Sequence, residues 1–144
     1  METREEALQL LSSVHEGSLA TMDASGEPFV SAVGFITEGE KIFILMSDLA
    51  RHTKHLIQNP KASLLIVEQN TKLPIHEKKR ASLSGLVLRV QDQTAFEKLK
   101  QNYLKAFPKA NIFFTLPDFR FYEFQISEIY WIGGFGKAES IKLR

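Results

Sequence analysis

Apolar residues recur at helical spacing from Glu2 to Val14, where Ala7, Leu8, Leu11 and Val14 fall on one side and Glu2, Glu5 and Glu6 crowd the early turns. This predicts an N-terminal amphipathic helix over about 2–14. The pattern then shortens to strand length. Gly17 to Asp23, Phe29 to Ile36 and Lys41 to Met46 read as three strands, joined by the turn residues Ala24-Ser25-Gly26-Glu27-Pro28 and Thr37-Glu38-Gly39-Glu40. A polar helix is expected from Leu49 to Gln58, capped by Ser47 or Asp48 and stopped by Asn59-Pro60, before a fourth strand from Lys61 to Val67. Gln69 to Glu77 carries no period and reads as a loop. Lys79 to Val90 predicts a long strand in which Gly85 marks a bulge or a close backbone approach. A second amphipathic helix spans Asp92 to Phe107, with Phe96, Leu99 and Tyr103 on one face. Ala110 to Pro117 is either a short apolar helix or irregular. Strands from Phe119 to Ile126 and from Glu128 to Gly133 follow, and the tail, 134–144, shows no strong pattern.

The strands are apolar on both faces. In the second, Phe29, Val33 and Phe35 oppose Val30, Ala32 and Ile36; in the third, Ile42, Ile44 and Met46 oppose Phe43 and Leu45; in the fourth, Leu64 and Ile66 oppose Leu65 and Val67. An antiparallel sheet normally leaves one face wet, so this pattern predicts a closed barrel whose outside is covered by helices or by a second copy of the chain. A compact sandwich covered by the helices alone is the competing arrangement. Two modest helices cannot cover a whole barrel, which points to a homodimer.

At 144 residues the chain makes one domain, 1–144, with no need of disulfides or a structural metal. Eighteen Lys and Arg against 17 Asp and Glu leave a formal charge of +1, which argues against nucleic-acid binding and against a polybasic membrane surface. The absence of cysteine removes thiolate nucleophiles and cysteine metal sites. With a charged N-terminus and no bilayer-length apolar run, the expected location is the cytoplasm.

Chemistry gathers between strands three and four. Arg51 and Lys54, three apart, share a face at the start of the polar helix, beside backbone N–H groups that lack helical partners. That is the outline of an anion site. His52 and His55 are also three apart, but only Asp48 is near enough in sequence to join them on a metal, and no metal site is expected. Gly133, Gly134 and Gly136 follow a strand with no helix after them, so they read as a corner rather than a phosphate loop. No Ser-His-Asp spacing, P-loop or GxGxxG fingerprint is present.

Particular words then matter: Leu19-Ala20-Thr21, Pro28-Phe29-Val30-Ser31, Leu49-Ala50-Arg51-His52-Thr53 and Asn59-Pro60-Lys61-Ala62-Ser63, in that order, and Trp131-Ile132-Gly133-Gly134-Phe135-Gly136-Lys137-Ala138 near the end. With these the chain resembles, over nearly its whole length, the FMN-binding split-barrel proteins related to pyridoxamine 5'-phosphate oxidase. The last word resembles their haem-utilization subgroup, whose members bind or degrade haem. The resemblance implies a mainly β fold with flanking helices, a six- to seven-stranded antiparallel split barrel, working as a homodimer with FMN at the interface. It implies that Arg51 and Lys54 hold the FMN phosphate, with Ser47, His52 and Thr53 adding hydrogen bonds. Ser31, Ala32 and Val33 would run beside the isoalloxazine ring, Arg80 and Ser82 would contribute from the same pocket, and Trp131 would pack near the ring or fill the core. An FMN-dependent oxidoreductase acting on an unidentified small substrate is the main functional expectation. A haem-binding or haem-degrading protein, or a flavin or haem carrier without catalysis, are the alternatives. The subgroup ligates iron through a histidine in a C-terminal extension, and this sequence has none after His76.

Overall fold

The computed structural model describes residues 2–143. Met1 and Arg144, the ends of the single domain expected, lie outside the described residues. Three helices, α1 (Thr3–Ser13), α2 (Arg51–Gln58) and α3 (Gln93–Ala106), surround seven strands, β1 (Glu16–Met22), β2 (Pro28–Glu38), β3 (Lys41–Ser47), β4 (Lys61–Val67), β5 (Lys79–Arg89), β6 (Phe119–Gly133) and β7 (Ala138–Lys142). Ile75–Glu77 and Ala110–Thr115 are 3₁₀-helices, the second settling the segment left open above. The strand order is β3-β2-β1-β4-β5-β6-β7, and β3 also pairs with β6. Six antiparallel strands thereby close on themselves, and β7 extends the sheet beyond them.

The doubly apolar strands find two separate cores. Val33, Phe35, Ile42, Ile44, Met46, Leu64 and Ile66 fill the barrel interior. Ile36, Phe43 and Leu45, from the opposite face, pack outside it with Leu99, Tyr103 and Phe121 under α3. Helix α1 closes one mouth of the barrel with Ala7, Leu10, Leu11 and Val14, and α2 closes the other with Leu56. Asp92 caps α3, its side chain accepting from the Thr94 amide.

Three sequence expectations are corrected. Phe119 to Ile126 and Glu128 to Gly133 are one strand: the β5–β6 register jumps between Ser84, opposite Glu128, and Gly85, opposite Ile126, so Ser127 is an extra residue. Phe124 and Ile126 point inward before it and Ile129 and Trp131 after it. That shift of the alternation by one is what a bulge does, and in a sequence it looks like a strand end. On its other edge β6 pairs with β3 over Phe119–Phe124 and with β7 over Glu128–Ile132, so the bulge sits where the partner changes. The tail is not patternless, because residues 138–142 form β7. The Gly133–Lys137 segment is the turn leading into it, closed by the Gly133 amide donating to the Lys137 carbonyl. Finally, α2 begins at Arg51 rather than Leu49, and its N-cap is Ala50 with no side-chain cap bond.

Candidate functional site

Neither expected capping residue serves α2. Ser47 Oγ accepts from the Leu49 amide at 3.1 Å and donates to Asp118 Oδ2 at 2.6 Å. Asp48 Oδ2 takes the Nε–H of Arg120 at 3.0 Å. Both side chains tie the end of β3 to the start of β6, and the helix is held by its own inner face instead. Thr53, fully buried, donates its hydroxyl to the Ser47 carbonyl at 2.6 Å. Two histidines then pin α2 to the inner faces of the neighbouring strands: His52 Nδ1 lies 2.8 Å from Ser31 Oγ of β2, and His55 Nδ1 lies 2.9 Å from Thr21 Oγ1 of β1. Phe29, opposite Thr21 in the ladder, meets the His55 ring edge-on at 5.6 Å.

The cations stay outside. Arg51 and Lys54 are exposed, and the Arg51 guanidinium lies over the Phe29 ring, 4.9 Å from its centroid. The ring therefore limits where that guanidinium can go. Phe29, at half burial, was not among the site residues expected from sequence. Its signal was its place in the Pro28-Phe29-Val30-Ser31 word, at the start of the strand that meets α2.

His52 carries the electrostatic tension of the site. Its Nε2 is buried with no hydrogen-bond partner among the described residues. Burial first, and then the charge of His55, hold the imidazole below its ordinary value of 6.5. The protonated ring would carry its charge in a buried site, with an N–H at Nε2 that has no acceptor, so the neutral form is the one the fold accommodates. The unfolded chain, with His52 near its ordinary value, takes up a proton first as pH falls. Stability is therefore complete above about pH 7, declines as pH drops through about 6.5, and levels off once folded His52 is itself protonated. Urea midpoints across that window are expected to fall for the native sequence and to stay flatter for His52→Gln. Parallel curves for the two proteins would assign the decline to other groups.

The remaining expected residues divide between two places. Val33 and Trp131 are core: Trp131 is 2% exposed and fills the barrel interior, so of its two readings the packing one applies, and Val33 offers a ligand only its backbone. Ala32, Arg80 and Ser82 face outward. Directly paired residues share a face, so the ladders set Ala32, Ser18, Leu65, Ser82 and Tyr130 in one row across β2, β1, β4, β5 and β6. Helix α3 and Phe107 after it cover this outer face of β2 at Gly34 and Ile36 and leave Ala32 and Val30 open. Val30 is 64% exposed, Leu65 43% and Tyr130 47%, with Met22 and Leu86 also exposed. A hollow of about 570 Å³ lies here, floored by Ala20, Ala62 and Gly85, with Lys61 as its charged residue. The structure thus brings Ser31, Ser47, Arg51, His52, Thr53 and Lys54 together around α2, and sets Ala32, Arg80 and Ser82 on an open, largely apolar barrel face beside them. Among the described residues no group of three or more His, Cys, Asp or Glu is placed to hold a metal ion, and no helix is long and apolar enough to cross a membrane.

The sequence model of the family described as "CREG, beta-barrel" matches residues 2–144. The chain is 28% identical over 126 residues to the haem oxygenase HutZ of Vibrio cholerae, covering 85% of this chain and 72% of that protein. It superposes on a haem-binding protein from Mycobacterium smegmatis with a TM-score of 0.90 and 26% identity, covering 99% of this chain but 58% of the mycobacterial one. A Clostridium acetobutylicum protein of the pyridoxinephosphate oxidase family shares the fold with a TM-score of 0.74 at 18% identity, over 99% of this chain and 97% of its own. The split barrel expected from the sequence is thus the observed fold, and the chain belongs to the CREG beta-barrel family.

Proposed function

We propose that this chain binds haem, as a cytoplasmic homodimer that buries the open barrel face, with Arg51 and Lys54 meeting the haem propionates at the edge of that face. The reading is carried by the similarity to HutZ and to the mycobacterial haem-binding protein, both above 25% identity. The residues present suit the group. An exposed apolar sheet face takes a flat macrocycle, and the cations beside it, Arg51 already stacked on Phe29, suit two carboxylates. Bound haem would supply a redox-active iron, and the chain's residues would bind and orient it. The α2 histidines are committed inward to Ser31 and Thr21, so iron ligation from this helix would first require those bonds to break.

The same cation pair also suits the phosphate of FMN. This keeps flavin-dependent oxidoreduction on a small substrate, or a carrier role for either cofactor, as the second reading. Arg80 and Ser82, on the open face, are the proposed further contacts for whichever ring system binds. The ligand retained on purification separates the two. Haem added to the purified protein is expected to give a saturable Soret band with one haem per protomer, and a two-band yellow flavin spectrum with no haem response would favour FMN. Gel filtration of the native chain is expected to give a dimer and of Leu65→Arg a monomer. A native monomer would remove the interface from the proposal.

A further inference from the structure

Where β5 ends and β6 begins, a cleft of about 500 Å³ is lined by Arg89, Arg120, Gln91, Gln93, Phe96 and Phe119, with no Asp or Glu in its lining. Arg89 stands directly opposite Tyr122 in the ladder and Arg120 lies two residues before Tyr122, which makes the two arginines diagonal neighbours on one face of the sheet. Their situations differ. Arg120 is held from behind by Asp48, which engages its Nε at 3.0 Å. One edge of that guanidinium is thereby used and its orientation set. The Arg89 side chain makes no hydrogen bond or ion pair among the described residues.

From this juxtaposition we infer that the cleft, which wraps around the strand ends, is a binding site for a small aromatic carboxylate, its carboxylate held between Arg89 and Arg120 and its ring against Phe96 and Phe119, which line the cleft from the other face of β6. Two neighbouring guanidinium groups repel each other, and one carboxylate, Asp48, offsets only one of them. Arg89 and Arg120 with Asp48 leave a surplus of one positive charge, and Asp92 and Asp118 stand beside the lining residues, so the local surplus is no larger than one and suits a monoanion better than a phosphate dianion. A carboxylate presents two coplanar oxygens, the form that arginine donors bind in pairs. The Gln91 and Gln93 amides can donate or accept at the rim. The ring walls are fixed: Phe119 stacks on Phe113 at 5.0 Å, and Phe96 packs edge-on against Phe121 at 5.5 Å. The volume suits a molecule of one ring. The inference is independent of the haem or flavin reading, because none of these residues belongs to the α2 cluster or to the open barrel face.

Nitrogen-15-labelled full chain titrated with benzoate, with its neutral isostere benzamide and with phenyl phosphate provides the test. Benzoate is expected to shift the Arg89 and Arg120 Nε–H signals and the Gln91 and Gln93 side-chain amides along one saturable curve. Benzamide and Arg89→Gln should each weaken that curve about tenfold, the scale of one charge-assisted contact. Arg89 is exposed and without a polar partner, so Arg89→Gln should melt with the native protein. Lys54→Ala should leave the benzoate curve unchanged. Equal binding of benzamide, an undiminished curve in Arg89→Gln, shifts centred on Arg51 and Lys54, or no saturable response would each overturn the site. Tighter binding of phenyl phosphate than of benzoate would overturn the carboxylate assignment.

Discussion

Gly85→Ala is expected to cost at least about 3 kcal/mol, the range reached when a backbone-level clash is forced into a packed structure. A Cβ at this position would lie 2.0 Å from the Gln125 carbonyl oxygen, 2.9 Å from its carbon and 3.1 Å from the Phe124 ring. The ring has some freedom to turn, but the carbonyl does not. Gln125 is paired with Leu86 across the ladder, and its neighbours Phe124 and Ile126 are buried in the barrel interior. Gly85 is not among the glycines with positive φ, so the cost is steric rather than conformational. Alanine would also restrict the unfolded chain, a gain of about 0.4–1 kcal/mol that is too small to offset the clash. The melting temperature should fall by about 10 °C. Ser84→Ala, one residue away and facing outward, should stay within about 0.5 kcal/mol of the native protein. Loss of soluble folded protein in the glycine variant would agree with the expectation. Equal melting of Gly85→Ala and Ser84→Ala would show that the β5–β6 seam can open to admit a methyl group.

The glycine and the bulge beside it mark what was legible. Gly85 announced a bulge or a close backbone approach, and the register shift and the Gln125 carbonyl beside it show both. The matching irregularity, Ser127, was misread as a break, because periodicity reports a change of phase without saying whether the chain ends or slips by one. The two cores were readable from the opposing apolar faces of β2 and β3, each of which needed cover. β7 was not, since its residues, Ala138–Lys142, are mostly polar and only Ile141 packs against the core. Around α2 the limit was distance along the chain. Ser47 and Asp48 looked like caps because caps are local, but their actual partners, Asp118 and Arg120, lie 71 and 72 residues away. The bonds of His52 to Ser31 and His55 to Thr21 span 21 and 34 residues and exist only once the barrel closes. The exposed cations needed no such partners, so their helical spacing was enough to place them together.

Replacing both Arg51 and Lys54 by Ala is expected to weaken haem binding about 100-fold. A charge-assisted hydrogen bond contributes about 1.5–3 kcal/mol when protected, and at an exposed edge the lower end applies, about tenfold in affinity for each cation. The two side chains face one ligand, so the combined loss need not be the simple product. The fold does not depend on either of them. Leu56 and Thr53 are buried beneath the helix and the His52 and His55 bonds fasten it, whereas Arg51 and Lys54 are exposed and Arg51 rests on the Phe29 ring. The double variant should therefore keep the native elution volume on gel filtration and the native melting temperature while losing affinity, and that separates a binding role from a structural one. Native affinity should also fall with added salt, and the slope should be shallower in the double variant, because exposed charges are screened within about 10 Å at 0.1 M. Lys72→Ala/Lys105→Ala, which removes the same charge from elsewhere on the surface, distinguishes a local contact from a general field: it should bind haem as the native protein does. Unchanged affinity in the Arg51/Lys54 variant would remove the cations from the site even if the Soret titration upholds haem itself. In that event the open barrel face, with Arg80 and Lys61 as its own basic residues, would have to supply the partner for the propionates.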